Sequence, residues 1–199
     1  MAFEILKQHL EENGFTVSVF ETGAEAAAYL NREIDGTTVG CGGSMTLKDL
    51  GLYDSLAAHN TLYYHGVSGD PAGTMKNAMT ADVYLLSANA IAENTGEILN
   101  IDGNGNRVAS SLYGHRKVYL VAGCNKVSPD FDSALWRLRN VVAPKNARRL
   151  GRKTPCAAKA DRCYNCSSPQ RICRGLVVLY KKMNLMEMEV VLVNETLGY

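Results

Sequence analysis

Three short apolar runs set the terms on which this chain can fold. Residues 82–87 read DVYLLS, residues 117–122 read KVYLVA and residues 189–193 read EVVLV. The first two are too short for a buried helix and too continuously apolar for a strand with one wetted face, so they predict strands covered on both sides, and the third predicts a final strand. Stretches of helical spacing separate them. Phe3, Leu6 and Leu10 share one face of a helix that Asn13-Gly14 stops. Thr22 with Glu25 is a capping box for an alanine-rich helix reaching about Arg32. Asp70-Pro71 opens a further helix, and Ser128-Pro129 precedes one whose Phe131, Leu135, Leu138 and Val142 form a stripe that Pro144 kinks or restarts. Shorter strands are expected at 15–20, 37–40, 62–64, 96–101 and 176–180. Helices alternating with such strands predict an α/β fold, a mostly parallel sheet with helices on both faces.

With 199 residues the chain suits a single domain, 1–199. No apolar run reaches the ~20 residues of a membrane helix, so no membrane role is expected. The first residues, MAFEILKQHLEENGF, are amphipathic and acidic, unlike a signal peptide, which predicts a cytoplasmic protein with its six cysteines as reduced thiols or metal ligands. The net charge of +1 conceals a division. Residues 1–136 hold 8 Lys/Arg against 16 Asp/Glu, whereas residues 137–182 hold 13 Lys/Arg against Asp161 alone. A one-signed segment implies an anionic partner or an internal negative charge to neutralise.

In parallel α/β sheets ligands bind beyond the carboxyl ends of the strands. The sequence puts unusual loops there. Gly42, Gly43, Ser44 and Thr46 follow the strand at 37–40. Their glycines admit close approach of a ligand to backbone N–H groups, and Thr46 with Asp49 is a candidate capping box for a short helix whose dipole would favour an anion. A plain strand-to-helix turn is the alternative. Neither a Walker loop nor Gly-x-Gly-x-x-Gly is present. Asn89 follows the strand at 82–87 and can bind a ligand oxygen or close a turn, with Glu93 nearby as a carboxylate able to act as acid or base. Gly103, Gly105, Asn106 and Arg107 lie in a loop leading into a helix over 107–113. Arg107 opposes the helix dipole there, which points to an anionic ligand or to pairing with Asp102. Lys126, in Gly123-Cys124-Asn125-Lys126, is a further anion contact. The histidines form no triad: His9 reads as a surface helix residue, His65 and His115 as turn residues.

Residues 152–174 carry no helical or strand period but hold Cys156, Cys163, Cys166 and Cys173, spaced C-x6-C-x2-C-x6-C. A C-x2-C pair can take adjacent positions on one tetrahedral centre, and four thiolates suit Zn²⁺ or an iron–sulfur cluster. The spacing matches neither ferredoxin pattern, so the metal is open, and a set of free or paired thiols on a basic loop is the other reading. Cys41 and Cys124 stand apart in strand-end loops.

The ordered set VGCGGSMTLKDLG, ADVYLLSANAIAENTGEILNIDGNGNRVA and KVYLVAGCNKVSPDFDSALWRLRNVVAPKNARRLG resembles the LUD domain family, the lactate-utilisation group. The resemblance runs from about Thr38 to Cys173. It implies a Rossmann-like three-layer αβα sandwich of the NagB/RpiA/CoA-transferase-like kind. It also implies a tie to oxidation of L-lactate to pyruvate, often beside iron–sulfur partner proteins. In the wider fold group a loop like Gly42-Gly43-Ser44 holds the phosphate or carboxylate of a small substrate, and the Asp102-Gly103 loop resembles one carrying acid–base carboxylates. The ferredoxin-like C-x2-C-x2-C repeats of iron–sulfur members are missing.

Three functions follow. The first is an accessory or catalytic subunit of organic-acid oxidation that binds a small anionic metabolite, an organic acid or a phosphate. The second is a stand-alone isomerase, transferase or ligase with Asp102 or Glu93 as acid–base. The third is a module whose basic segment meets nucleic acid or an acidic protein. That segment has few aromatics for stacking on bases, Trp136 at its edge with Tyr164 and Tyr180, which disfavours nucleic acid. Assembly as a homo-oligomer is left open.

Overall fold

The apolar runs pair with one another at the centre of the molecule. The computed structural model describes residues 3–64 and 70–199, so His65 lies outside the described residues. β1 (Thr16–Phe20), β2 (Thr38–Cys41), β3 (Thr61–Tyr64), β4 (Val83–Ser87), β7 (Lys117–Gly123) and β10 (Glu187–Val193) form a wholly parallel sheet in the order β1-β10-β7-β4-β2-β3. Val83 lies opposite Lys117, and Glu187 opposite Lys117 on its other side. The period of two then divides the side chains between two faces. Tyr84, Leu86, Val118, Leu120, Ala122, Val190 and Leu192 enter one core; Val83, Leu85, Tyr119, Val121, Val191 and Val193 enter the other.

Helices cover both faces. α1 (Glu4–Glu12) buries Leu6 and Leu10 against the first core, joined by Ala78 of α5 (Pro71–Ala78). α2 (Gly23–Glu33), α3 (Met45–Asp49) and α4 (Leu52–Ala57) bury Leu30, Leu47, Leu52 and Leu56 against the second. The capping box of α2 forms as expected: Thr22 accepts the Glu25 N–H while Glu25 takes the Thr22 N–H.

Three local expectations change. The Thr46–Asp49 box does not form. Ser44 caps α3 by accepting the Leu47 N–H, and Thr46 is buried, donating to Leu197 O. The helix expected over 107–113 is the shorter α6 (Asn106–Ser110), entered through Gly105 at φ 87°, a left-handed conformation suited to glycine. His115 is no turn residue at the surface. It is 4% exposed, with Nδ1 2.6 Å from Ala81 O and its ring against Tyr84, and burial lowers its pKa.

A second, four-stranded sheet was not evident from the pattern. β5 (Ala90–Ala92), β6 (Ile98–Asp102), β8 (Val127–Ser128) and β9 (Gly175–Leu179) pair in the order β8-β5-β6-β9. Ile91, Ile98 and Leu179 face the first core, while Ala90, Ala92 and Leu99 meet Ala134 and Leu138 of the helical segment above. That segment begins as α7 (Phe131–Arg137), passes through a wide π-helical turn at 138–142 and resumes as α8 (Ala143–Arg149). Pro144 sits in the first turn of α8, where its missing N–H costs nothing. The cysteine-rich segment gains one short helix, α9 (Pro155–Lys159), capped by Thr154. No helix among the described residues is long and apolar enough to cross a membrane.

Candidate anion-binding site

The chain runs from β2 outward to β3, then crosses back to β4 and onward to β7. Loops leaving β2 and β4 therefore diverge and open a crevice at their carboxyl ends, where ligands bind in such sheets. A cavity of about 370 Å³ lies there, lined by Gly42–Thr46, Ser87, Asn89, the 101–107 loop and Lys126. Val142, Ala143, Asn146, Arg149 and Leu150 of the α8 region, with Arg152, Ile172 and Tyr199, complete its outer wall.

Most of the residues singled out from the sequence meet here. Gly42, Gly43, Ser44, Thr46, Asn89, Asp102, Gly103, Asn106, Arg107 and Lys126 all line the cavity. Gly105 stands behind it as the entry to α6. Glu93 is elsewhere: its backbone N–H reaches Ser128 O and its carbonyl accepts from or faces His9 Nδ1 at 2.8 Å. Sequence reasoning missed Ser87 as a site residue and the outer wall altogether. The basic segment at 137–182 is visible in the sequence, but only the fold shows its Arg149 and Arg152 at the cavity.

The Gly42–Ser44 loop is held by Tyr53, whose hydroxyl donates to Gly42 O at 2.8 Å and accepts the Ser44 N–H at 2.8 Å. The Gly43 N–H has no protein acceptor among the described residues. α3 has only five residues, so its dipole is small and the site's positive potential must come from side chains.

Arg107 takes the second of the roles the sequence left open. Nη1 donates to Ser87 O (3.1 Å) and Asn100 Oδ1 (2.7 Å); Nη2 donates to Asn89 Oδ1 (3.1 Å) and Ile101 O (2.7 Å). Nε lies 3.5 Å from Asp102 Oδ2. All its donors are thus spent on the strand ends, and it supplies charge to the cavity instead of a free N–H. Burial lowers its pKa, opposed by Asp102. Asn89 closes the network, accepting the Ile101 N–H on Oδ1 and donating its own N–H to Asn100 Oδ1. Asp102 is equally occupied, its Oδ1 taking the Asn104 and Gly105 N–H groups.

Lys126 differs. It is 5% exposed, and Nζ makes a single hydrogen bond, to Ser87 Oγ at 3.0 Å. Among the described residues no carboxylate pairs with it. Burial, then the positive charges of Arg137 and Arg107, lower its pKa to about 7 against a weak opposing pull from Asp49. Arg137 is itself under-satisfied, its buried Nε lacking a hydrogen-bond partner among the described residues. A buried ammonium left to a hydroxyl is costly unless an anion joins it. Ser87 in turn lies 3.2 Å from Thr46 Oγ1, so Lys126, Ser87 and Thr46 form a polar chain along the cavity floor.

The model of the family described as LUD domain matches residues 3–193. The chain belongs to the LUD domain family. A crystal structure described as a DUF162 family protein from Deinococcus radiodurans shares the fold, with a TM-score of 0.51 at 11% identity, over 95% of this chain and 94% of that one. No curated protein sequence matches this LUD domain. The solved fold agrees with the Rossmann-like three-layer architecture expected above.

Proposed function

We propose that this LUD domain binds a small anionic metabolite, a carboxylate or a phosphate ester, in the cavity at the carboxyl ends of β2, β4 and β7. The observation that carries this reading is Lys126, a buried amine with a hydroxyl for its hydrogen-bond partner and two arginines raising the potential around it. An incoming anion supplies the missing countercharge, and the unpaired Gly43 N–H offers a second contact beside it. Arg149 and Arg152 give the entrance the same sign. The cavity suits a small molecule and not a nucleic acid backbone, which favours this use of the basic segment over the nucleic-acid alternative.

The family's link to lactate utilisation makes short 2-hydroxy and 2-oxo carboxylates the first ligands to try. On this reading the protein serves an organic-acid oxidation system, as an accessory or catalytic subunit beside iron–sulfur partner proteins. Calorimetric titration of a panel of such acids and of small phosphate esters tests this. At least one should bind and raise the melting temperature; silence across the panel contradicts the reading.

A catalytic version of the same site rests on Lys126 with Ser87. An amine titrating near 7 is matched to moving protons at neutral pH, and Ser87 Oγ is in contact with it. Asp102 is less suited to acid–base work, since both its oxygens already face protein donors. If turnover of a bound acid is found, Lys126→Met should abolish it, and Asp102→Asn should act mainly by loosening the 102–107 loop.

A further inference from the structure

Residues 152–174 pack against the site without a core to hold them. Only Thr154 and Ala157 of the whole segment are buried. A stretch of that length with so little apolar burial needs a cross-link of another kind. Its contacts with the site are nonetheless specific. Arg174 donates its backbone N–H to Asp102 O at 2.9 Å, and Ile172 lies so close over Gly103 that a Cβ there would stand 3.0 Å from Ile172 O. Arg152 and Ile172 then form part of the cavity wall.

Three of the four cysteines of this segment, Cys163, Cys166 and Cys173, are arranged around two basic side chains. Between Cys163 and Cys166, Asn165 adopts the left-handed conformation (φ 44°) and directs its N–H at Cys163 Sγ, 3.3 Å away. This turn lets a C-x2-C pair present both sulfurs to one ion while a backbone donor supports the first thiolate. Arg171 Nε donates to Cys173 O at 2.8 Å and lies 3.1 Å from Cys173 Sγ, while Nη1 donates to Cys166 O at 3.0 Å. Cys163 and Cys166 also lie within electrostatic reach of this guanidinium, and Arg139 Nη2 is 3.9 Å from Cys163 Sγ. Cys156 opens α9 with Sγ 3.3 Å from Thr154 Oγ1. All four are free thiols. Among the described residues they are not already gathered within ligand distance, so coordination requires their side chains to turn inward.

We propose that Cys156, Cys163, Cys166 and Cys173 hold one tetrathiolate metal centre that clips the 152–174 segment over the cavity. The donor set fits a thiophilic metal. Four thiolates around Zn²⁺, or around an oxidised four-iron cluster, leave a net charge near −2. Arg139 and Arg171 stand where that charge would develop, which gives part of the basic segment an internal counter-ion. Cys41 and Cys124 take no part: Cys41 is packed in the core, where burial pushes its thiol pKa up, and Cys124 follows β7.

The test is metal analysis and visible absorption of the full chain purified without oxygen, with no anion added. About one zinc per chain in a colourless protein, or iron with matching sulfide in a brown one, supports the centre and says which metal it holds. Metal below about a tenth of an equivalent, after reconstitution with each metal has also been tried, overturns it. Cys163→Ser and Cys173→Ser should each lose the metal, whereas Cys124→Ser should retain it; retention in the first two overturns the assignment even if the native chain is loaded. Chelation should expose the 152–174 segment to limited proteolysis while the rest stays folded. The metal reading is taken without ligand, so failure of the anion site leaves it intact, and the converse holds.

Discussion

Two lysines, one half-buried and one buried, set the two ends of the parallel sheet apart. Lys117, at the start of β7, lies 2.9 Å from Glu189 of β10, which also accepts from Ser18 and Tyr29. Burial would lower the Lys117 pKa, but the Glu189 hydrogen bond and charge, with Tyr119, more than offset it and hold it above the ordinary value. Glu189 is pulled the other way: burial would raise it, and bonds from Lys117, Tyr29 and Ser18 bring it below. Lys126, just past the other end of β7, has burial without that compensation and titrates near 7. One end of the strand is internally complete, and the other is left one negative charge short. That charge deficit, at the end of a parallel sheet where ligands bind, is what the proposed anion site rests on.

The sharpest way to break this contrast is to remove the unpaired amine. Lys126→Met should weaken anion binding by about 100-fold, because it removes a desolvated cation facing the ligand. The same variant should be more stable than the parent at pH 7, by on the order of 2 kcal/mol. The sign follows from linkage. A lysine lowered from 10.5 to about 7 in the folded state opposes folding fully below 7, and the penalty fades as pH rises to 10.5. The stability gap between the two proteins should therefore close over that range in denaturant titrations.

Removing Glu189 should do the reverse. Glu189→Leu leaves Lys117 without its partner and should cost about 2–3 kcal/mol at pH 7, read by urea unfolding, with anion affinity unchanged. If both variants weakened binding alike, the division between the two ends would fail. A smaller effect is expected from acid. His115 is held neutral by burial, so its contribution to stability is intact above 6.5 and declines as pH falls below that. His115→Gln should flatten part of the acid limb of the melting curve. Smallest of all, Gly103→Ala should shift the Ile172 backbone by a few tenths of an ångström and reduce affinity only a few-fold, measured by the same calorimetry.

The sequence exposed these two ends unequally. β4, β7 and β10 were legible because a strand buried on both faces has little choice but to be apolar throughout. β5 was not, since Ala90–Ala92 is three residues with no β-branched run except Ile91. Thr46 looked like the cap of α3; Ser44 serves instead because Thr46 is drawn to Leu197 and Ser87, distant in sequence. Within the site, the loops announced themselves through glycine and asparagine. The roles of Arg107 and Lys126 did not, because Arg107 finds its acceptors on two strands and Lys126 finds almost none, and both facts are tertiary. Glu93 was adjacent to a site loop in sequence and is carried away from it by β5.

The central claim reduces to the protonation of one amine. Carbon-detected NMR of the protein with ¹³C-labelled lysine follows the Lys126 Cε shift against pH, assigned with Lys126→Met. A titration near 7 in the free protein, moving upward when a small carboxylate or phosphate is added, is the expected result. A Lys126 that titrates near 10 regardless of ligand would contradict the account.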